Sequence, residues 1–102
     1  MISRIWHGWT TPGNADTYEA LLREEILPGI ADRGIQGYLG IELLRRRLPD
    51  EVEFVTIMTF DSMDAVARFA GPDPGAAYVP PKARALLARF DERPGHFEVR
   101  PV

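Results

Sequence analysis

The chain has 102 residues, a formal net charge of −3, 45% hydrophobic and 26% charged residues, and no cysteine. This is the composition of a globular protein with material for one core of ordinary size, and it excludes disulfides, thiolate nucleophiles, Fe–S clusters and cysteine zinc sites. Acidic residues are spread along the chain and basic ones cluster only at Arg45, Arg46 and Arg47, so no surface for nucleic acid or an anionic membrane is expected.

Residues 2–10 carry Ile2, Ile5, Trp6, Trp9 and Thr10, types that suit a strand. Alternation puts Trp6 and Gly8 on one face and Ile5, His7 and Trp9 on the other, so the strand is expected to be covered on both sides. Thr11-Pro12-Gly13 breaks it, and Asn14 is the expected N-cap of a helix in which Tyr18, Leu22, Ile26 and Ile30 recur every four residues. Pro28 cannot donate to residue 24 and predicts a kink or break near Pro28-Gly29, and Gly34 is the expected left-handed cap.

Residues 37–48 and 51–60 are two strand-like runs joined at Pro49-Asp50, a predicted hairpin. In the second run Phe54, Thr56, Met58 and Phe60 share one face and Val55, Ile57 and Thr59 the other, so both faces are largely apolar where a half-solvated strand would alternate. Asp61 or Ser62 caps a helix over Met63–Ala70 that Gly71 stops. After a loop at 71–75, Pro80-Pro81 opens a predicted helix over 81–90. A last strand is expected over residues 95–100, with Phe97 and Val99 on one face and His96 and Glu98 on the other.

This order predicts an α+β fold of the ferredoxin-like type, βαββαβ with one additional helix: a four-stranded antiparallel sheet with its helices on one face. The opposite face is then left bare and apolar, and the expected cover is the same face of a second chain, giving a homodimer with a two-sheet barrel. The start of the chain has no long apolar run of the signal-peptide kind and no stretch approaches the ~20 apolar residues of a membrane span, so a cytoplasmic protein without membrane contact is expected.

Chemistry is sparse. His7 and His96 fall on the first and last strands, which this topology makes neighbours, but a third metal ligand is not apparent, so no metal is expected. No P-loop, dinucleotide fingerprint or nucleophile elbow is present, and no cofactor is expected by those routes. What remains is an aromatic and polar population: Trp6, Trp9, Tyr18, Tyr38, Phe54, Tyr78, His7, His96 and Arg84. Such residues between sheet and helices suit a flat aromatic or hydrophobic ligand, with histidine the best candidate base near neutral pH. For any one of them, core packing is the competing role.

The opening Arg4-Ile5-Trp6-His7-Gly8-Trp9-Thr10, the run Glu53-Phe54-Val55-Thr56-Ile57-Met58-Thr59-Phe60-Asp61-Ser62 leading into Met63-Asp64-Ala65-Val66, and the element order together resemble the antibiotic biosynthesis monooxygenase group of the dimeric α/β-barrel superfamily. The resemblance covers residues 1–102 as a single domain. It implies a dimer and a cofactor-independent oxygenation of a small, often polycyclic, aromatic substrate; for such a reaction the candidates in this chain are His7 or His96 as base, Trp6, Trp9, Tyr38 and Phe54 contacting substrate, and Arg84 or Tyr78 at the cavity mouth. The haem-degrading branch of the superfamily fits less well, because neither helix predicted after residue 60 carries a histidine. The competing function is a non-catalytic barrel that binds a hydrophobic metabolite. Since alternation separates Trp6 from His7, at most one of the two is expected to face a pocket.

Overall fold

The computed structural model describes residues 1–102. Strand β1 (Ile2–Thr10) leads through a 3-10 turn (Pro12–Asn14) into α1 (Ala15–Leu21), a π-helical turn (Leu22–Ile26) and α2 (Leu27–Asp32). The hairpin β2 (Tyr38–Arg47) and β3 (Val52–Phe60) follows, then α3 (Met63–Ala70), α4 (Pro81–Leu86), and two short strands, β4 (Arg89–Phe90) and β5 (Gly95–Glu98). The sheet runs β2-β3-β1, and both β4 and β5 pair with the far edge of β1; every pairing is antiparallel. This is the expected ferredoxin-like α+β architecture with helices on one face. No helix is long and apolar enough to cross a membrane.

Several local signals act as the sequence predicts. Gly34 and Gly71 both end helical segments with positive φ, 62° and 81°, a region that residues with a Cβ rarely adopt. The Ser62 hydroxyl accepts a hydrogen bond from the Ala65 amide at 3.2 Å and caps α3.

Other expectations are corrected. Asn14 does stand at the start of α1, but its side chain makes no capping bond; Nδ2 donates instead to the Leu86 carbonyl at 3.3 Å and ties α1 to the end of α4. Pro28 does not break the helix. The disturbance lies one turn earlier, where the Leu27 amide reaches back to the Leu22 carbonyl and widens the turn, and Pro28 sits in the first turn of α2, where its missing N–H costs nothing.

The predicted helix over 81–90 stops at Leu86, because Leu87 is extended and the chain turns into β4 against Gly8 and Trp9. The expected fourth strand is therefore two pieces, β4 and β5, and the strand predicted over 95–100 ends at Glu98. Residues 91–94 leave the sheet between them, and Pro94, which has no N–H to give a ladder, is buried there.

Alternation sorts the sheet into two faces. Arg4, Trp6, Gly8 and Thr10 of β1 and Val52, Phe54, Thr56, Met58 and Phe60 of β3 face the helices. There they meet two core clusters, one around Ala15, Tyr18, Leu22, Phe54 and Ala83, the other around Ile30, Met58, Phe60, Val66 and Phe69. The outer face carries Ile5, His7 and Trp9 of β1, Glu53, Val55 and Ile57 of β3, Leu44 of β2 and Phe97 of β5, as the register requires. Leu44 and Phe97 are 45% and 56% exposed.

Candidate functional site

A cleft lies between the two core clusters, on the helix side of the sheet. Fifteen residues line it, twelve of them hydrophobic. Arg4, Trp6, Ile41, Thr56 and Met58 form its floor on the sheet; Tyr18, Leu22, Ile26, Leu27 and Ile30 come from the long helix; Phe69, Tyr78, Val79, Pro80 and Ala83 close the other side. The π turn presents Leu22, Ile26 and Leu27 to this one cavity, in keeping with the frequent occurrence of such turns at functional sites. The cleft encloses a cavity of about 50 Å³. A ring-sized occupant therefore requires the cleft to widen.

Arg4 is the unusual member of the floor. It is only 3% exposed. Its Nη1 donates to the Pro74 carbonyl at 2.7 Å and lies 2.8 Å from His96 Nε2, and Nη2 donates to the Ala76 carbonyl at 2.8 Å. The guanidinium also stands over the Phe69 ring, 5.3 Å from its centroid. A guanidinium has donors only, so His96 Nε2 must be the acceptor and the proton of the neutral ring resides on Nδ1. Burial, and then the charge of Arg4, hold His96 below the ordinary histidine range, which keeps it neutral. Burial likewise lowers Arg4, which nonetheless stays charged.

Trp6 owes its position to two features of the chain. A Cβ on Gly8 would come within 2.4 Å of the Trp6 ring, so the glycine makes room for the indole to lie across the strand. The break between β4 and β5 then supplies the Asp91 carbonyl, which accepts from Trp6 Nε1 at 2.8 Å. Tyr18 is 1% exposed, packs edge-on against Phe54 at 4.9 Å, and its hydroxyl has no protein hydrogen-bond partner. Burial pushes that phenol well above its ordinary range, so it serves as a hydrogen-bond donor and not as a phenolate. Tyr78, 51% exposed, stands at the mouth with its ring edge-on to Phe69.

The candidates read from sequence thus divide. Trp6 and Tyr78 line the cleft, and His96 stands behind Arg4 without lining it. Phe54 is fully buried in the first cluster, and Tyr38 packs edge-on against Phe60 in the second; neither lines the cleft. Arg84 lies away from the cavity, its guanidinium over the Phe90 ring at 5.2 Å.

His7 and Trp9 belong to the outer face. The two rings stack 5.9 Å apart, and the Arg89 guanidinium covers Trp9 at 3.9 Å. His7 Nδ1 lies 2.8 Å from Glu53 Oε2, while Arg46 Nε bonds the other carboxylate oxygen. The His7 bond, with help from Arg46, holds Glu53 below the ordinary carboxylate range despite its burial. Nowhere do three or more His, Asp or Glu side chains converge as metal ligands would.

Sequence reasoning missed Arg4 and Thr56, and it named Tyr18 only within the general aromatic population. The available signal was parity: Arg4 alternates in step with Trp6, Gly8 and Thr10, and a charged residue in step with a core face is rarely incidental.

The Trp6 geometry is testable. Gly8→Ala is expected to displace the indole and cost about 1–3 kcal/mol, read in a Trp9→Phe background as a lowered urea midpoint together with a red-shifted Trp6 emission. Unchanged emission and stability would show that the space above Gly8 is not needed.

No family model matches the sequence, and no curated protein matches it significantly. Solved structures do. A provisionally named antibiotic biosynthesis monooxygenase from Bacillus cereus superposes with a TM-score of 0.68 at 12% identity, over 99% of this chain and 94% of that one. SnoaB, a cofactor-independent oxygenase from Streptomyces nogalater, superposes with a TM-score of 0.64 at 20% identity, over 99% of this chain and 95% of that one. This chain therefore has, from end to end, the ferredoxin-like fold of those two proteins.

Proposed function

We propose that this chain binds a small aromatic molecule in the cleft between sheet and helices and oxygenates it without a cofactor. The observation that carries the reading is the cleft itself: an apolar cavity with an indole and a tyrosine ring on its walls and one guanidinium in its floor. Apolar walls with a few convergent polar groups are the usual form of a small-molecule site. The two structural neighbours named for oxygenation share the fold and support the reaction class.

The chemistry asks little of the protein. An anthrone-type substrate loses a proton to give an enolate; the enolate carbon reduces O₂ and forms a peroxide. Loss of water then leaves a carbonyl where a CH₂ stood, one oxygen atom in the product and one in water. Arg4 supplies positive charge that favours the enolate and, later, the peroxide anion. His96 is the nearby base. Its Nε2 lone pair is held by Arg4, so the histidine becomes available when a substrate oxygen draws the guanidinium to itself. Walls of Leu22, Ile26 and Ile30 keep water from the peroxide.

One observation favours a second reading, binding without turnover: with Nε2 engaged, no free base faces the empty cleft. Oxygen uptake with 1,8-dihydroxyanthrone in metal-free buffer separates the two. The oxygenase reading expects one O₂ consumed per quinone formed and a fall of about 100-fold in kcat for His96→Asn, the lower end of what a general base supplies. Binding of the anthrone with no uptake above the uncatalysed rate would leave the binding reading.

We also propose that the outer sheet face pairs with the same face of a second copy. Leu44 and Phe97 are exposed there beside Ile5, Val55 and Ile57, and an apolar patch of that kind is characteristic of an interface. Sedimentation equilibrium at micromolar concentration is expected to give a dimer that Phe97→Glu converts to a folded monomer; a wild-type monomer would contradict the pairing.

A further inference from the structure

Two charged side chains are buried in this chain, Arg4 and Glu53. Glu53 has a counter-charge in Arg46 and a hydrogen-bond partner in His7. Arg4 has none. No carboxylate comes within 4.0 Å of its nitrogens, and its three hydrogen-bond partners are two backbone carbonyls and a neutral imidazole. Buried charges in folded proteins are ordinarily paired, because desolvation is costly and only an opposite charge offsets it well. Of the five N–H bonds of a guanidinium, three are engaged, leaving the Nε hydrogen and one Nη2 hydrogen unused.

The cleft repeats this asymmetry. Among its fifteen lining residues there is no Asp or Glu, and Tyr18, which lines the cleft, makes no hydrogen bond through its hydroxyl within the chain. The cavity thus offers a positive charge with free donors and an unengaged hydroxyl, and supplies no anion of its own.

We propose that the natural occupant of the cleft is a hydrophobic monoanion whose ionised oxygen serves as the counter-ion of Arg4, with the Tyr18 hydroxyl as a second polar contact. The proposal rests on the reading of the cleft as a small-molecule site and specifies the charge of its ligand, whether or not turnover follows. A single charge is specified because Arg4 is the only cation in the lining, and a second ionised group would lie desolvated against Leu22, Ile26 and Ile30. The ionised oxygen has two chemical sources, a carboxylate or an acidic enol or phenol. The same charge explains how a closed cleft opens: the anion competes for the donors that now hold the Pro74 and Ala76 carbonyls, and so releases the segment that carries Tyr78 and Val79.

The test is isothermal titration of the full chain at neutral pH with 2-naphthoate, with 2,4-dinitro-1-naphtholate as an ionised phenol, and with 2-naphthamide as the neutral isostere of the first. The expected result is that at least one anion binds about tenfold or more tightly than the amide, the size of effect a charge-assisted hydrogen bond supplies. Preference for naphthoate assigns the carboxylate source and preference for the naphtholate the enol or phenol source. Arg4→Met is expected to abolish the preference of anion over amide.

Because Arg4→Met also cuts the tie to residues 74–76, Tyr18→Phe is the companion variant; it is expected to weaken the anion several-fold with an unchanged thermal midpoint. Equal affinity of wild type for amide and anions would overturn the monoanion proposal while leaving the cleft as a binding site. An anion preference untouched by Arg4→Met in a folded protein would overturn it also. Failure of all three probes to bind would overturn the reading of the cleft, and the proposal with it.

Discussion

A guanidinium taken out of water must be compensated, and in this chain the compensation organises the ligand side of the molecule. Withdrawing such an ion carries an effective penalty of several kcal/mol. Three hydrogen bonds from Arg4, each worth roughly 1.5–3 kcal/mol when one partner is charged, and the face of Phe69 offset much of it. Those bonds reach Pro74, Ala76 and His96, so one side chain on the first strand fixes the loop after α3 and the last strand together. The loop in turn brings Tyr78, Val79 and Pro80 over the cavity. Loop, last strand and cavity wall thus depend on a contact that a ligand anion is chemically suited to contest.

The cavity has its own causes in the chain. Two clusters of core side chains form because the long helix lays Tyr18 and Leu22 on one end of the sheet and Ile30 on the other. Between them the π turn changes the spacing of Leu22, Ile26 and Leu27, and Gly8 lets the Trp6 indole lie flat in the floor. The interruption at residues 91–94 provides the carbonyl that fixes the indole. Irregularities that weaken regular structure, a widened helical turn, a strand glycine and a broken edge strand, are all found around one cavity. Proteins commonly concentrate such departures at functional sites.

Much of the fold was legible because local and global signals agreed. Val52–Phe60 is apolar at both parities, which demanded cover on both faces; Tyr18, Leu22, Ile26 and Ile30 kept a helical period; Gly34 and Gly71 stood where the chain leaves a helix with positive φ. The end of α4 was not legible, since Ala83, Leu86, Leu87 and Phe90 keep a helical period and only pairing with Gly8 and Trp9 pulls residues 89 and 90 into the sheet. The site was less legible than the fold. Alternation correctly put Trp6 and His7 on opposite faces, and Trp6 lines the cleft while His7 pairs with Glu53 outside it. Arg4 escaped notice because a charged strand residue is normally a solvated one, and its burial depends on a loop seventy residues away in the chain.

The outer face follows a different logic from the inner one. Its one buried charge, Glu53, is satisfied within the chain by His7 and Arg46, and Arg89 pairs with Glu51, whereas the inner face leaves one charge without its opposite. That unpaired charge is the centre of this account, and a crystal structure with 2-naphthoate bound tests it most directly. The account predicts a carboxylate oxygen at about 2.7–2.9 Å from Nε or Nη2 of Arg4, with the rings between Trp6 and Tyr78. A naphthoate bound with its carboxylate turned to solvent at the mouth, or seated on the outer face beside His7, would contradict it.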